Sequence, residues 1–80
     1  MTLSKAVSIR IDKYLYERKI SLYQLAKDAG VSVSSLQNLY RENTKTPTLA
    51  LVYKICRGLN ISAQEFLADD IFSSVDLELD

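Results

Sequence analysis

The segment from Ser21 to Arg41 constrains the fold more than any other part of the chain. It reads SLYQLAKDAGVSVSSLQNLYR, and its apolar residues recur at helical spacing on both sides of one glycine. Gly30 accepts the left-handed backbone conformation that ends a helix, and Ser32 is a favourable residue to cap the next one. The segment therefore predicts two short helices joined by a tight turn, with Ala26 small enough to allow a close crossing.

The second of these helices has one apolar and one polar face. Leu36 and Leu39 form the apolar face. Two helices joined in this way are typical of a helix-turn-helix motif, whose second helix is presented to a DNA groove. The residues predicted to face outward are Ser32, Val33, Ser34, Gln37, Asn38 and Arg41.

Capping and spacing signals predict three further helices. Helix one extends from about Ala6 to Lys19 with Ser4 as its cap, and helix four follows Thr48 and ends near Asn60. Helix five opens with the capping box Ser62–Glu65. The sequence thus predicts an all-α fold, a compact five-helix bundle. Its buried faces are predicted to include Val7, Ile11, Tyr14, Leu15, Leu49, Val52, Ile55, Cys56, Leu59, Phe66 and Leu67.

A net charge of zero conceals an uneven distribution. Residues 1–60 contain all ten basic side chains and four acidic ones, which leaves +6, whereas residues 61–80 contain six acids and no base. A basic body beside an acidic segment fits a nucleic-acid-binding surface. On charge alone, an ordinary solvated surface is the alternative.

The last part of the chain has a different pattern. We predict a domain over residues 1–68 and an acidic tail over 69–80, in which Val75, Leu77 and Leu79 alternate with acids. Alternation is typical of a strand, and a lone strand is not stable. The tail is therefore expected to be strand-like and paired with a second chain, as a dimerisation segment, or else disordered. A third hypothesis is that it folds over the basic surface and lowers DNA affinity.

Composition excludes several classes of protein. One cysteine and no histidine exclude an internal disulfide and the usual zinc sites. No apolar run approaches the roughly 20 residues of a membrane span, and no signal peptide opens the chain. We therefore expect a cytoplasmic protein without metal, cofactor or membrane contact. No nucleophile lies beside a base, so we expect no catalytic site. Cys56 is predicted to belong to the core.

Beyond these patterns, the sequence resembles the lambda-repressor-like helix-turn-helix family of the Cro/cI or Xre type. The resemblance covers about residues 7–68. It implies a transcriptional regulator, expected to be a repressor, that binds specific sequences of double-stranded DNA, usually as a homodimer. The residues that carry it are Leu25-Ala26, Ala29-Gly30-Val31-Ser32, Leu36, Leu39, Pro47, Leu49 and KICRGLNISAQEF at positions 54–66.

The resemblance also implies roles for individual residues. Base edges would be read by Ser32, Val33, Ser34, Gln37 and Asn38. Phosphates would be contacted by Ser21, Arg41, Asn43, Thr44, Lys45 and Thr46. Gln37 and Asn38 have the amide groups that bind adenine with two hydrogen bonds, and Val33 can contact a thymine methyl group. Because no base-reading position is Arg or Lys, we expect no paired hydrogen bonds to guanine from this helix.

Four departures from the family pattern stand beside the resemblance, the first being Val33 where a polar base-reading residue is common. Leu22 stands where many members have Gln, and Lys19 where Gly is frequent. Some repressors pair an Arg on helix one with a Glu near the end of helix three. The corresponding residues here are Leu15 and Tyr40, both apolar or nearly so, which avoids leaving one buried charge unpaired. The alternative is a protein-interaction or antitoxin-like regulatory module of the same fold, with little DNA binding of its own.

Overall fold

The computed structural model describes residues 1–43 and 46–76, and within these ranges every regular element is helical. The all-α prediction is confirmed. Five α-helices are followed by a short 3-10 helix. Their bounds are α1 Leu3–Arg18, α2 Leu22–Ala29, α3 Val33–Tyr40, α4 Leu49–Leu59, α5 Ala63–Leu67 and the 3-10 helix Asp70–Ser74.

One hydrophobic core lies between the helices, with α2 packed mainly on α4 and α3 on α1. Cys56 belongs to it as predicted, and burial raises the pKa of its thiol. Two predicted core residues do not. Leu49, the first residue of α4, is 65% exposed, and α5 is a single turn that directs only Phe66 inward and leaves Leu67 43% exposed. The fully buried large side chains are Val7, Ile11, Leu25, Leu36, Leu39, Ile55, Leu59 and Phe66.

Three of the joints between helices share one three-residue construction. A residue with left-handed backbone ends the helix, a half-buried apolar residue follows, and a serine caps the next helix. In each joint the apolar residue's N–H donates to a carbonyl in the last turn, at 3.0–3.1 Å. The joints are Lys19-Ile20-Ser21, Gly30-Val31-Ser32 and Asn60-Ile61-Ser62.

The helix starts were predicted well, except the first. Thr2, not Ser4, caps α1, since its hydroxyl accepts from the N–H of Lys5 at 3.1 Å. The helix begins earlier than predicted, so Ser4 lies inside its first turn and is fully buried. The cap of helix four was placed correctly, because the Thr48 hydroxyl accepts from the N–H of Leu51 at 3.1 Å.

Replacing Lys19 with glycine is expected to raise the free energy of unfolding by about 0.5–1 kcal/mol. A side chain in the left-handed region costs about 1–2 kcal/mol, which the greater unfolded-state freedom of glycine offsets in part. Lys19 has φ 55°. Thermal unfolding followed by circular dichroism measures the change as a rise of a few degrees. Lys27→Gly, inside α2, is the matched control and should lower the Tm; an equal fall for Lys19→Gly would contradict the expectation.

Residues 69–76 lie against α1. Phe72 packs on Phe66 with ring centroids 5.9 Å apart. The backbone N–H of Asp76 donates to the Met1 carbonyl at 2.9 Å, and the Met1 amino group donates to the Ser74 carbonyl at 3.1 Å. The alternating pattern did not predict the 3-10 helix here. Most of that pattern falls on residues 77–80, outside the described residues, so a strand-like or disordered tail and the boundary after residue 68 stay predictions.

Candidate nucleic-acid interface

The turn between α2 and α3 fixes the angle at which α3 leaves the bundle. Gly30 has φ 70°, and the N–H of Val31 donates to the Ala26 carbonyl at 3.0 Å. Ala29, directly before the turn, is 1% exposed and lies against α4. With Leu36 and Leu39 in the core, the opposite side of α3 faces solvent.

The five predicted base-reading residues lie at the start and on the outer side of α3, with unequal exposure. Ser32 and Ser34 are exposed, whereas Val33, Gln37 and Asn38 are half-buried. The Ser32 hydroxyl already accepts from the Ser35 N–H at 3.1 Å and lies 2.9 Å from the Ser35 hydroxyl. Val33 packs partly against the core. Ser34, Gln37 and Asn38 are therefore the members whose polar groups are most open to a ligand.

The predicted phosphate-contacting residues flank this helix. Ser21 is exposed and caps α2 by accepting from the Gln24 N–H at 3.0 Å. Arg41, Asn43 and Thr46 are exposed after α3. Thr44 and Lys45 lie outside the described residues.

A hydrogen bond joins α3 to α1 at Tyr40, one of the two positions that correspond to the Arg–Glu pair of some repressors. The Tyr40 hydroxyl donates to Asp12 Oδ1 at 2.7 Å. Burial, and then this carboxylate, raise the pKa of Tyr40, so the phenol keeps its proton and remains a donor. Sequence reasoning placed Asp12 on the wetter side of α1 and did not predict this bond, which arises because the helix crossing brings Asp12 beside Tyr40.

A second tie holds the carboxyl end of α3. Glu42 has φ 56° and donates its N–H to the Leu39 carbonyl at 3.2 Å. The Thr2 hydroxyl, at the start of α1, donates to Glu42 Oε1 at 2.7 Å. Sequence reasoning assigned Glu42 only to a polar loop. The N–H of Glu42 bonds to the carbonyl three residues earlier, as the left-handed residue does in each of the other joints. A glutamate gives no sequence signal for that backbone conformation.

Three basic residues that were counted toward the predicted basic surface bind groups within the protein instead. The Arg10 side chain binds the carbonyls of Glu65 and Phe66 at 2.9 and 2.8 Å. The Lys13 ammonium pairs with Asp69 at 2.6 Å, and Arg18 donates to the Leu59 carbonyl. The charge available to a nucleic acid on the α2–α3 side is therefore smaller than the distribution along the sequence indicated.

No group of three or more His, Cys, Asp or Glu side chains in the described ranges could hold a metal ion. None of the helices described is long and apolar enough to cross a membrane. An open groove of about 740 Å³ follows α4 and the amino end of α5, beside Tyr53, Arg57 and Ile61.

Comparison with protein families gives one match that covers most of the chain. The model of the Cro/C1-type helix-turn-helix DNA-binding domain matches residues 10–70, a span that contains α2, α3 and the turn between them. A comparison with curated protein sequences found no match.

Solved structures with the same fold support this match. An HTH_3 family transcriptional regulator from Vibrio cholerae is 28% identical with a TM-score of 0.74, over 88% of this chain and 39% of its own, so this chain spans about two fifths of that regulator. The N-terminal DNA-binding domain of SinR from Bacillus subtilis is 30% identical with a TM-score of 0.67. The match covers 79% of this chain and 91% of the SinR domain. The clp gene regulator ClgR from C. glutamicum shares the fold at 22% identity, with a TM-score of 0.75. The match covers 98% of this chain and 99% of the ClgR chain.

Proposed function

Because the chain belongs to the Cro/C1-type helix-turn-helix family of DNA-binding domains, we propose that it is a cytoplasmic transcriptional repressor that reads the major groove with α3. Membership of the family indicates a DNA-binding regulator. The observation that supports reading by α3 is its polar side, held outward by the Gly30 turn and the buried Leu36 and Leu39.

In this proposal, base reading depends mainly on Ser34, Gln37 and Asn38. Their hydroxyl and amide groups can bond to base edges in the major groove. Ser32 and Val33, at the start of α3, have secondary roles, because the serine hydroxyl already caps the helix and the valine packs partly on the core. Val33 would then contact a base only through the exposed part of its side chain.

Affinity comes mainly from phosphate contacts beside the reading helix. Ser21 lies at the amino end of α2, where backbone N–H groups and the helix dipole favour an anion. Arg41 supplies a permanent positive charge at the other side. Asn43 and Thr46 are exposed beside Arg41, and we propose phosphate contacts for them and, from the family pattern alone, for Thr44 and Lys45. Phosphate contacts position the protein, and the α3 side chains then discriminate between sequences.

We propose a homodimer on a two-fold DNA site, with recognition helices about 34 Å apart or a multiple of that distance. The tail is the weaker candidate for the dimer contact, since Phe72 packs on Phe66 of its own chain. The surface of α4 and α5 is the stronger one, because Tyr53 and Leu67 are 57% and 43% exposed there.

Selection from a pool of randomised duplexes, followed by sequencing, tests recognition and assembly together. Two inverted half-sites with centres 10–11 base pairs apart, or a multiple of that spacing, would support a dimer, and one half-site would indicate a monomer. If no sequence is enriched, the proposal of sequence-specific binding is wrong. That result would favour the alternative, a protein-interaction or antitoxin-like module that acts through the exposed α4–α5 surface.

Arg41→Gln is expected to weaken binding to every duplex by a similar factor. The reason is that a phosphate contact carries no sequence information. The slope of log affinity against log salt should become shallower by about one. Fluorescence anisotropy at several salt concentrations measures both effects. Lys13→Gln is the matched control, because the Lys13 ammonium pairs with Asp69 away from this surface; an equal loss in this control would show a general charge effect and contradict a specific contact at Arg41.

A further inference from the structure

The groove along α4 and the amino end of α5 combines apolar surface with positive charge. Tyr53 and Ile61 supply apolar side chains to it, and Lys54 and Arg57 line it as exposed bases. None of the described residues that line the groove is acidic. Neither base has an ion pair among the described residues. The groove therefore suits an occupant that carries both apolar side chains and negative charge.

The chain itself contains a segment of this chemistry. Residues 75–80 read VDLELD, in which three apolar residues alternate with three acids and no base occurs. The structure describes this segment as far as Asp76, whose side chain is exposed. The residues just before it are held on their own chain, because Phe72 packs on Phe66. The segment that matches the groove thus follows the part of the tail that packs on α5.

The groove of the same chain is poorly placed for this segment. The N–H of Asp76 is bound to the Met1 carbonyl, at the amino end of α1. At the other end of α1, Arg18 donates to the Leu59 carbonyl next to the groove. A helix of 16 residues is about 24 Å long, whereas the backbone of residues 77–80 extends at most about 14 Å. A tail that keeps its contact with Met1 therefore favours the groove of a neighbouring copy.

We propose that the groove receives residues 75–80 of a second copy of this chain, and that two copies exchange these segments reciprocally. The apolar side chains enter the groove beside Tyr53 and Ile61, and the acids pair with the long side chains of Lys54 and Arg57. Reciprocal exchange gives two identical contacts related by a two-fold axis. The inference rests on the homodimer of the proposed function and names what covers its α4–α5 surface. It does not require α3 to read bases.

Charge reversal on both sides of this contact tests the proposal, with the full chain and without DNA. Arg57→Glu reverses a charge in the groove, Lys54→Glu does the same at the other base, and Glu78→Lys reverses one in the tail. Each should weaken dimerisation by about tenfold, because the change enters the two-fold contact twice. Sedimentation velocity over a range of protein concentrations measures the dissociation constant.

Mixing the variants distinguishes a direct contact from two unrelated losses. In a heterodimer of a groove variant with the Glu78→Lys chain, the basic tail meets the acidic groove and the unchanged tail meets the unchanged groove. An equimolar mixture should therefore recover dimer near the wild-type dissociation constant, although each variant alone dimerises weakly.

A matched control separates this contact from an effect of net charge. Lys27→Glu makes the same change of charge at an exposed position on α2, outside the groove, and it should dimerise like the wild type. Mixed with the Glu78→Lys chain, it should give less heterodimer than the groove variants, since the basic tail then meets a basic groove. The groove variants should keep the wild-type circular dichroism spectrum, because Lys54 and Arg57 are exposed.

Two results would overturn the exchange. One is a wild type that stays monomeric at every concentration, which a tail closed on its own groove would also produce. The other is a dimer that neither the groove variants nor Glu78→Lys weaken. The duplex selection fails separately: if it enriches no sequence, the proposed DNA reading is wrong, while the sedimentation result still decides whether the tails are exchanged.

Discussion

Replacing Gly58 with alanine is expected to destabilise the fold by about 2 kcal/mol, although glycine to alanine inside an exposed helix stabilises by up to about 1 kcal/mol. Gly58 lies in α4 where it crosses α2. A Cβ atom at this position would be 2.9 Å from the Cα, Cβ and N atoms of Ala29. Two of those atoms are backbone, so the contact is relieved only if the helices separate. Urea unfolding monitored by circular dichroism measures the loss.

The same substitution should also weaken DNA binding, because Ala29 directly precedes the Gly30 turn that orients α3. Ala29→Gly in the same chain is the companion variant. The double variant should recover part of the loss and no more, since the backbone atoms of residue 29 still meet the new methyl group. A Gly58→Ala protein as stable as the wild type would show that α2 and α4 adjust at little cost and would contradict this account.

The helices of this protein could be predicted from sequence because their start and stop signals are local. Ser21, Ser32 and Ser62 cap the helices expected of them, and Gly30 and Asn60 end helices in the left-handed conformation. The close contact of Gly58 with Ala29 has no local signal. It arises from the angle at which two helices cross, which spacing within either helix does not specify.

The outward-facing side of α3 was as predictable from sequence as the helices were. Periodicity identified which residues of α3 face outward, and the described ones are exposed or half-buried. What holds that helix in place was not predictable, because the Tyr40–Asp12 and Glu42–Thr2 bonds join residues 28 and 40 positions apart. The roles of individual residues at the DNA remain predictions, since sequence pattern gives a residue's face and not its partner.

Replacing Arg10 with glutamine is expected to destabilise the fold by about 3 kcal/mol. The guanidinium donates to the carbonyls of Glu65 and Phe66, at the end of a helix of only five residues. It also lies 4.7 Å from the centre of the Tyr14 ring. Hydrogen bonds from a charged group contribute about 1.5–3 kcal/mol, and carbonyls left without donors add a further cost. Urea unfolding measures the loss of stability. Arg10→Lys should retain little of the stabilisation from Arg10, because an ammonium cannot match the forked geometry of the guanidinium.

The acid dependence of stability provides a second readout for the same contact. The hydrogen bond from Lys13, then that from the Ile71 N–H, with a smaller contribution from Arg10, lower the pKa of Asp69. The stability that this carboxylate contributes is therefore present above its ordinary value near 3.9 and is lost as the pH falls through the lowered pKa. Asp69→Asn should flatten this part of the stability–pH curve while the Arg10 bonds to the two carbonyls remain. Arg10→Gln should instead lower stability at every pH. If the destabilisation caused by Arg10→Gln disappeared at low pH, Arg10 would act only through Asp69. The proposed contribution of its bonds to the α5 carbonyls would then be wrong.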